Sequence, residues 1–141
     1  MAQTASSHLG QIHALLATKG YSVSETGDDV LEIQEVTSGI SLRAVLEGDI
    51  LYLSLTCLTA PANAITPPVM RKMLDAGNGI STSYFQLYDT GKGNVAVTLN
   101  NFCKLQDLGE DDEDDILSCV SFLLADVVHA KALIGADLGS K

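Results

Sequence analysis

The chain has 141 residues, of which 46% are hydrophobic and 18% charged, a balance that excludes a disordered chain and is enough for one folded domain. Eight Lys and Arg against 18 Asp and Glu give a net charge of −10, which repels the phosphates of nucleic acids and anionic membrane surfaces. We therefore expect a single domain over residues 1–141 that binds neither nucleic acid nor membranes.

The N-terminal segment lacks the basic start and the unbroken apolar stretch of a secretory signal, so a cytoplasmic location is expected. The three cysteines are Cys57, Cys103 and Cys119, which have no CxxC spacing and each lie within an apolar pattern. Buried thiols in a reducing compartment are the favoured interpretation. A reactive or metal-binding cysteine is the alternative.

The first half of the chain predicts one helix and four strands. The helix has apolar residues at helical spacing between Leu9 and Leu16, candidate caps at Ser6 and Ser7, and a stop at Gly20. Four extended patterns follow and are separated by turn signals. They begin at Tyr21 and then cover 30–36, 40–46 and 50–58, of which the last is apolar on both faces and is expected near the centre of the sheet.

The second half predicts a helix, a hairpin and a long helix. The small residues of 59–64 are read as a loop, after which Thr66 caps a short helix that starts at Pro67. Strands 80–88 and 94–102 flank a glycine-rich turn and form a second antiparallel hairpin. In this hairpin the core layer is predicted to contain Phe85, Leu87, Val95, Val97 and Leu99.

The last helix is predicted to follow the acidic run 110–115. Acids at this position cap free N–H groups and complement the helix dipole; a basic partner and a metal are the alternatives. Asp126 and Lys131 interrupt the apolar stretch, which argues against a membrane span. One apolar stripe contains Ile116, Val120, Leu123, Val127 and Ile134.

The predicted order is thus α-β-β-β-β-α-β-β-α, an α+β fold with an antiparallel sheet and helices against one of its faces. The last helix is apolar beyond its main stripe. Its additional apolar residues must be covered by the sheet or by a second copy of the chain, and we favour a homodimer. The predicted dimer interface contains Leu117, Leu124 and Val128.

Strand alternation also predicts a candidate binding face. If the leucines of strands four and five face the helices, parity puts the intervening tyrosines on the opposite face. Two interpretations remain open, because tyrosine is also an ordinary strand former. The predicted partner-binding residues are Val45, Tyr52, Tyr84 and Tyr88.

Motifs of catalysis are missing from the sequence. There is no HExxH or GxSxG pattern, and Gly91-Lys92-Gly93 joins two predicted strands without the spacing of a phosphate loop. We therefore expect a protein without enzymatic activity, metal or cofactor. A small-molecule site or an active site assembled only in space is the competing interpretation.

Four short segments carry a family resemblance, together with the order of elements. The segments are 15–23 (LLATKGYSV), 30–33 (VLEI), 40–46 (ISLRAVL) and 95–99 (VAVTL). These features resemble the YbjN-type family, whose fold is similar to that of type III secretion chaperones. The middle helix departs from that family, because 67–72 (PPVMRK) replaces an Asn-rich segment that contains Trp.

The resemblance implies a type III secretion chaperone-like fold over nearly the whole chain. It also implies a non-enzymatic chaperone-like or regulatory protein-binding domain in bacterial stress or sensory signalling, and no catalytic residues carry over. A type III secretion chaperone proper is the alternative. The expected partner is another protein or an extended peptide segment.

Overall fold

A computed structural model describes residues 3–80, 82–106, 109–135 and 137–138, without the side chains of 3–7. Within these ranges three helices and six strands follow one another in the predicted order. The helices are α1 (Gln3–Thr18), α2 (Pro67–Leu74) and α3 (Glu110–Ile134). The strands are β1 (Tyr21–Gly27), β2 (Val30–Glu35), β3 (Ser41–Glu47), β4 (Ile50–Pro61), β5 (Tyr84–Gly91) and β6 (Asn94–Lys104).

The strands form one six-stranded sheet in the order β1-β2-β3-β4-β6-β5. Antiparallel hairpins join β1 to β2, β2 to β3, β3 to β4 and β5 to β6. Backbone bonds at the two ends of β4 and β6 show that these strands are antiparallel too: Leu105 N donates to Asp49 O at 2.6 Å, and Ala62 N donates to Gly93 O at 2.8 Å. The predicted inner position of β4 is confirmed, and β1 and β5 are the edges.

The chain divides into two compact units, of which unit 1 contains Met1–Ser54 and Asn101–Ser121. Its core combines one side of α1 with alternate residues of β2, β3 and β4 and with the start of the α3 stripe, as strand and helix periodicity predict. The apolar side chains at most 3% exposed are Leu9, Ile12, Leu16, Leu31, Ile33, Leu42, Ala44, Leu46, Leu51, Leu53, Ile116 and Val120.

Unit 2 contains Leu55–Asn100 and Phe122–Lys141. Its best-defined apolar cluster joins Val69 and Met73 of α2 to Val97 of β6 and Ile134 of α3. The helical spacing of Val69 and Met73 puts both side chains on the same side of α2. Partly buried residues that pack against this cluster are Leu58, Ile65, Phe85, Leu133 and Leu138.

Several predicted boundaries are wrong by a few residues. Helix α1 starts at Gln3, so Ser6 and Ser7 lie inside it rather than at its cap. The segment predicted as a loop continues β4 to Pro61 and then forms a short 3-10 turn, Ala62–Ala64. Small residues such as these carry little periodic signal, and tertiary pairing decides their conformation.

The ends of α2 and α3 differ from the prediction as well. Thr66 is at the N-cap of α2 and Pro67 opens the helix, as predicted, but the Thr66 side chain makes no cap hydrogen bond. The acidic run does not precede α3, because the helix begins at Glu110 and the acids occupy its first turns. There Asp112 is buried and its Oδ2 accepts a bond from Gln106 N at 2.7 Å.

By length and composition alone, α3 could cross a membrane, since it has 25 residues and a mean hydropathy of 1.7 over its most apolar window. The interruptions at Asp126 and Lys131 are therefore only weak evidence against a membrane span. A core helix has the same composition, and the predicted stripe of α3 is at most 1% exposed throughout. A single domain and the absence of membrane binding stay predictions.

Two glycines allow a matched test of the backbone. Gly48, in the β3–β4 turn, has φ +62°, and a Cβ atom there or at Gly10 of α1 would meet nothing within 4 Å. We expect Gly48→Ala to lower the free energy of unfolding by about 1 kcal/mol, because L residues are strained in this left-handed region. Gly10→Ala should raise it by about 0.5 to 1 kcal/mol, since Ala favours helix.

Urea denaturation followed by circular dichroism measures both effects. Changes of the same sign in the two variants would contradict the assigned backbone conformations.

Candidate functional site

The exposed face of unit 1 carries an aromatic patch, which we define as Val45, Tyr52 and Phe102. Val45 on β3 and Tyr52 on β4 are directly paired across the two strands. The rings of Tyr52 and Phe102 are tilted by 49° with centroids 6.1 Å apart, within the range of favourable aromatic pairs. Tyr52 is 39% exposed and Phe102 is 55% exposed, while Val45 is half-buried.

Strand alternation explains why these side chains point away from the core. Leu51 and Leu53 are at most 1% exposed, so Tyr52 between them must project from the opposite face. On β6 the buried pair is Asn101 and Cys103, which turns Phe102 outward in the same way. Asn101 Nδ2 donates to Cys119 O of α3 at 3.0 Å, so this helix lies on the face opposite Phe102.

Sequence reasoning missed Phe102. The predicted strand ends at Phe102, and the parity that puts Val97 and Leu99 in the core runs on to this residue. Phe102 is three residues beyond Leu99, so the same alternation puts it on the exposed face. The strand continues to Lys104, so the signal was present in the sequence.

Charged residues flank the aromatic patch along β3. Arg43 and Glu47 are exposed neighbours of Val45 on the same face. Arg43 Nε contacts Glu32 Oε2 of β2 at 2.5 Å. An exposed ion pair of this kind contributes at most about 1 kcal/mol to stability. We therefore describe Arg43 and Glu47 as a polar rim of the aromatic patch.

In unit 2 the candidate residues lie on the edge strand β5. Tyr84 and Tyr88 are 42% and 49% exposed, and they pair with Asn100 and Ala96 of β6. The Tyr88 hydroxyl donates to Gln86 Oε1 at 2.5 Å. Within the described residues no strand pairs with the outer side of β5. This edge presents backbone N–H and C=O groups that another chain could pair with.

The predicted core layer of this hairpin is wrong at one position. The predicted parity holds, because Phe85 pairs with Leu99 and Leu87 pairs with Val97. Phe85 packs against the unit 2 cluster, but Leu87 is 42% exposed. An edge strand has a neighbour on one side only, and this leaves Leu87 partly in solvent.

The predicted binding residues thus divide between the units. Val45 and Tyr52 are brought together in unit 1, and Tyr84 and Tyr88 occupy one face of β5 in unit 2. The predicted dimer residues of α3 are unequal: Leu117 and Leu124 are partly buried, whereas Val128 is 63% exposed. A homodimer through these residues stays a prediction.

The cysteines are free thiols, and two of the three are buried. Cys57 and Cys103 are buried and Cys119 is half-buried, which agrees with the favoured interpretation for the first two. In the described part of the chain no three His, Cys, Asp or Glu side chains are grouped as a metal site would require. The expectation of a metal-free protein stays a prediction.

An open groove of about 940 Å³ lies beside α2. Its lining includes the exposed side chains of Met70, Arg71 and Leu74. Lys72, also at this groove, has its Nζ 2.6 Å from Asp137 Oδ2. Sites for small ligands usually enclose most of the ligand surface, and this open groove does not.

Comparisons with known proteins identify the fold. No family model matches the chain, and no curated protein matches it in sequence. A chain in the crystal structure of the ExsC–ExsE complex matches with a TM-score of 0.58 over 86% of this chain and 89% of that one, at 11% identity. ExsC is a type III secretion chaperone.

The fold is type III secretion chaperone-like. This confirms the predicted fold class, an α+β arrangement with a six-stranded antiparallel sheet. At 11% identity the likeness concerns the fold alone. The YbjN part of the resemblance has no support from a family model and stays a prediction.

The buried thiol of Cys57 should make the stability of the protein depend on pH. Burial raises the pKa of its thiol from about 9 to about 11, and the charge of Lys131 offsets part of this effect. The unfolded chain releases this proton first as the pH rises, so the contribution of Cys57 to stability is complete below pH 9 and is lost towards pH 11. We expect a loss of about 2 kcal/mol from this residue.

The measurement is the free energy of unfolding between pH 8 and 11, in the wild type and in Cys57→Ala. Stability should fall more steeply with pH in the wild type, and parallel curves would contradict the prediction. The comparison is between the slopes of stability against pH. A loss of unfolding free energy that the substitution causes equally at every pH therefore does not affect the result.

Proposed function

We propose that this protein is a non-enzymatic, chaperone-like protein-binding domain that holds an extended segment of a partner protein against its sheet. The observation that carries the proposal is the aromatic patch, whose two aromatic residues are 39% and 55% exposed on a strand face opposite α3. Large exposed apolar side chains that adjoin one another are typical of interaction sites.

The fold likeness supports this role. The similar chain belongs to the ExsC–ExsE complex, and this chain shares its fold over most of its length. A protein that binds a partner segment needs surface area more than an enclosed cavity. The described surface offers exposed strands and rings and, beside α2, a groove that is open.

The aromatic patch suits an apolar anchor of a partner. Tyrosine and phenylalanine give large contact areas at small cost in side-chain entropy, and such residues often dominate binding energy. Val45 is half-buried between these rings and the polar rim. A partner side chain that covers Tyr52 and Phe102 would remove apolar surface from water.

The edge strand β5 suits a second mode of recognition. An extended segment can add to a sheet edge, so that its backbone provides hydrogen bonds and its alternate side chains reach neighbouring residues. Tyr84 and Tyr88 are two such residues on β5, both half-exposed. Each unit therefore offers one candidate surface, and the proposal allows the partner to use either.

Charge selects among partners. The net charge of −10 favours segments with Lys or Arg around an apolar anchor. Glu47 beside the aromatic patch and Asp89 on β5 are exposed carboxylates at the two surfaces. A cytoplasmic location belongs to this proposal, and the YbjN resemblance suggests stress or sensory signalling as its setting. A secretion chaperone proper is the alternative.

The first experiment identifies the partner. The full-length chain, tagged and chemically cross-linked in its native cells, is purified and its captured proteins are identified by mass spectrometry. Peptides that tile the captured protein then locate the bound segment. The proposal expects a short basic and apolar segment, whereas a partner that binds only as a folded domain would contradict it.

The aromatic patch is tested by alanine substitution. We expect Tyr52→Ala and Phe102→Ala each to weaken binding of that segment about fivefold or more, which is about 1 kcal/mol, because each removes an apolar anchor. The matched control is Val36→Ala, since Val36 is 68% exposed and lies outside the aromatic patch. Titration calorimetry measures the affinities.

Melting temperatures of the same variants should change little, since exposed side chains contribute little to the core. Unchanged affinity in both aromatic variants would contradict a binding role for Tyr52 and Phe102, which would then be ordinary strand residues.

The edge strand is tested with a pair of Leu→Lys variants. Leu87 on β5 is 42% exposed and Leu74 on α2 is 80% exposed. A lysine on an edge strand opposes pairing with another strand, so Leu87→Lys should weaken binding about tenfold while Leu74→Lys leaves it unchanged. If Leu87→Lys binds normally and the aromatic variants do not, only the aromatic patch is used.

A further inference from the structure

Unit 1 contains two thiols that face each other from different elements. Cys103 lies on β6 with its side chain buried, and Cys119 lies on α3, half-buried. Each thiol has the largest effect on the pKa of the other, through a side-chain hydrogen bond. Neither the fold likeness nor the proposed binding surfaces give this pair a role.

Backbone contacts hold the two cysteines in this position. Cys119 Sγ is 3.8 Å from Phe102 O, the carbonyl that immediately precedes Cys103. Asn101 Nδ2 donates to Cys119 O at 3.0 Å, so the side chain two residues before Cys103 fixes the backbone of α3 at Cys119. Two contacts next to the thiol pair therefore set the spacing between β6 and α3.

We propose that Cys103 and Cys119 are a redox modification site, at which a peroxide converts the thiol pair into an intramolecular disulfide. Cys119 Sγ lies beside the carbonyl that precedes Cys103, and strand alternation turns the buried Cys103 towards α3, as it does Asn101. The disulfide can therefore form with small adjustments of the side chains. Transient, redox-sensing disulfides are the kind expected in a reducing compartment.

The two cysteines differ in a way that assigns their roles. The hydrogen bond from Cys103 lowers the pKa of Cys119, although burial and Asp115 act in the opposite direction. The pKa of Cys103 is raised, first by that same hydrogen bond and then by burial. Cys119 is also the more exposed of the two. It is therefore the attacking thiolate, and Cys103 is the resolving thiol.

The chemistry balances with hydrogen peroxide as the oxidant. The Cys119 thiolate attacks one peroxide oxygen, the O–O bond breaks, and hydroxide leaves as Cys119 becomes a sulfenic acid. The Cys103 sulfur then attacks the Cys119 sulfur, the S–O bond breaks, and the Cys103 proton leaves with the hydroxyl group as water. The two sulfurs together lose two electrons, which reduce the peroxide.

The buried Cys57 provides an internal control. Its thiol has a raised pKa, so it is a poor nucleophile. Trypsin separates the three cysteines, because cleavage after Arg and Lys yields the segments 44–71, 93–104 and 105–131. A disulfide between Cys103 and Cys119 therefore joins the last two segments, while 44–71 keeps a free thiol.

The experiment treats the full-length native protein with a small excess of hydrogen peroxide, blocks free thiols with N-ethylmaleimide under denaturing conditions, and maps the tryptic segments by mass spectrometry. We expect most of the protein to lose the mass of two hydrogen atoms and to show 93–104 joined to 105–131. Dithiothreitol should reverse both changes. Cys57→Ser should react as the wild type does.

Cys103→Ser should stop at the sulfenic acid of Cys119, which a dimedone probe detects, and Cys119→Ser should show neither product. The tryptic map of the wild-type protein shows whether the disulfide forms without any variant, so the test holds even if a substitution impairs folding. Free Cys103 and Cys119 after treatment, disulfides only between copies, or oxidation that begins at Cys57 would overturn the proposal. None of these outcomes bears on partner binding.

Discussion

The two-residue alternation of side chains along the strands is the constraint on which the candidate surfaces depend. Leu51 and Leu53 are buried in unit 1, and that burial fixes the direction of Tyr52 between them. A slip of one residue would put the tyrosine in the core and the leucines in water. The burial of Leu51 and Leu53 thus fixes the outward direction of the Tyr52 ring, and no polar contact of Tyr52 is needed for this.

The same constraint explains what the sequence could predict. Strands with a clear apolar face, such as β3 and the first part of β4, were assigned within a few residues because burial on one face makes the pattern regular. The stripe of α3 was predicted correctly for the same reason. Val45 and Tyr52 followed from parity alone, and the structure pairs them directly.

The remaining errors arise where a local pattern does not decide the structure. The exposure of Leu87 depends on the position of β5 at the sheet edge, and strand order cannot be read from one apolar residue. The contact of Cys103 with Cys119 depends on how α3 lies against β6, a tertiary arrangement that no spacing in the sequence encodes. Phe102 is different, because its position was available from alternation and was overlooked.

The pairing of β4 with β6 bears on how the chain folds. Every other described strand pair is a hairpin between consecutive strands, and such local contacts form early because little chain entropy is lost in closing their loops. The bonds from Leu105 to Asp49 and from Ala62 to Gly93 connect strands that are separated by α2 and β5. The loop-closure entropy of the sheet is therefore concentrated in a single non-local step, the docking of the β5–β6 hairpin onto β4.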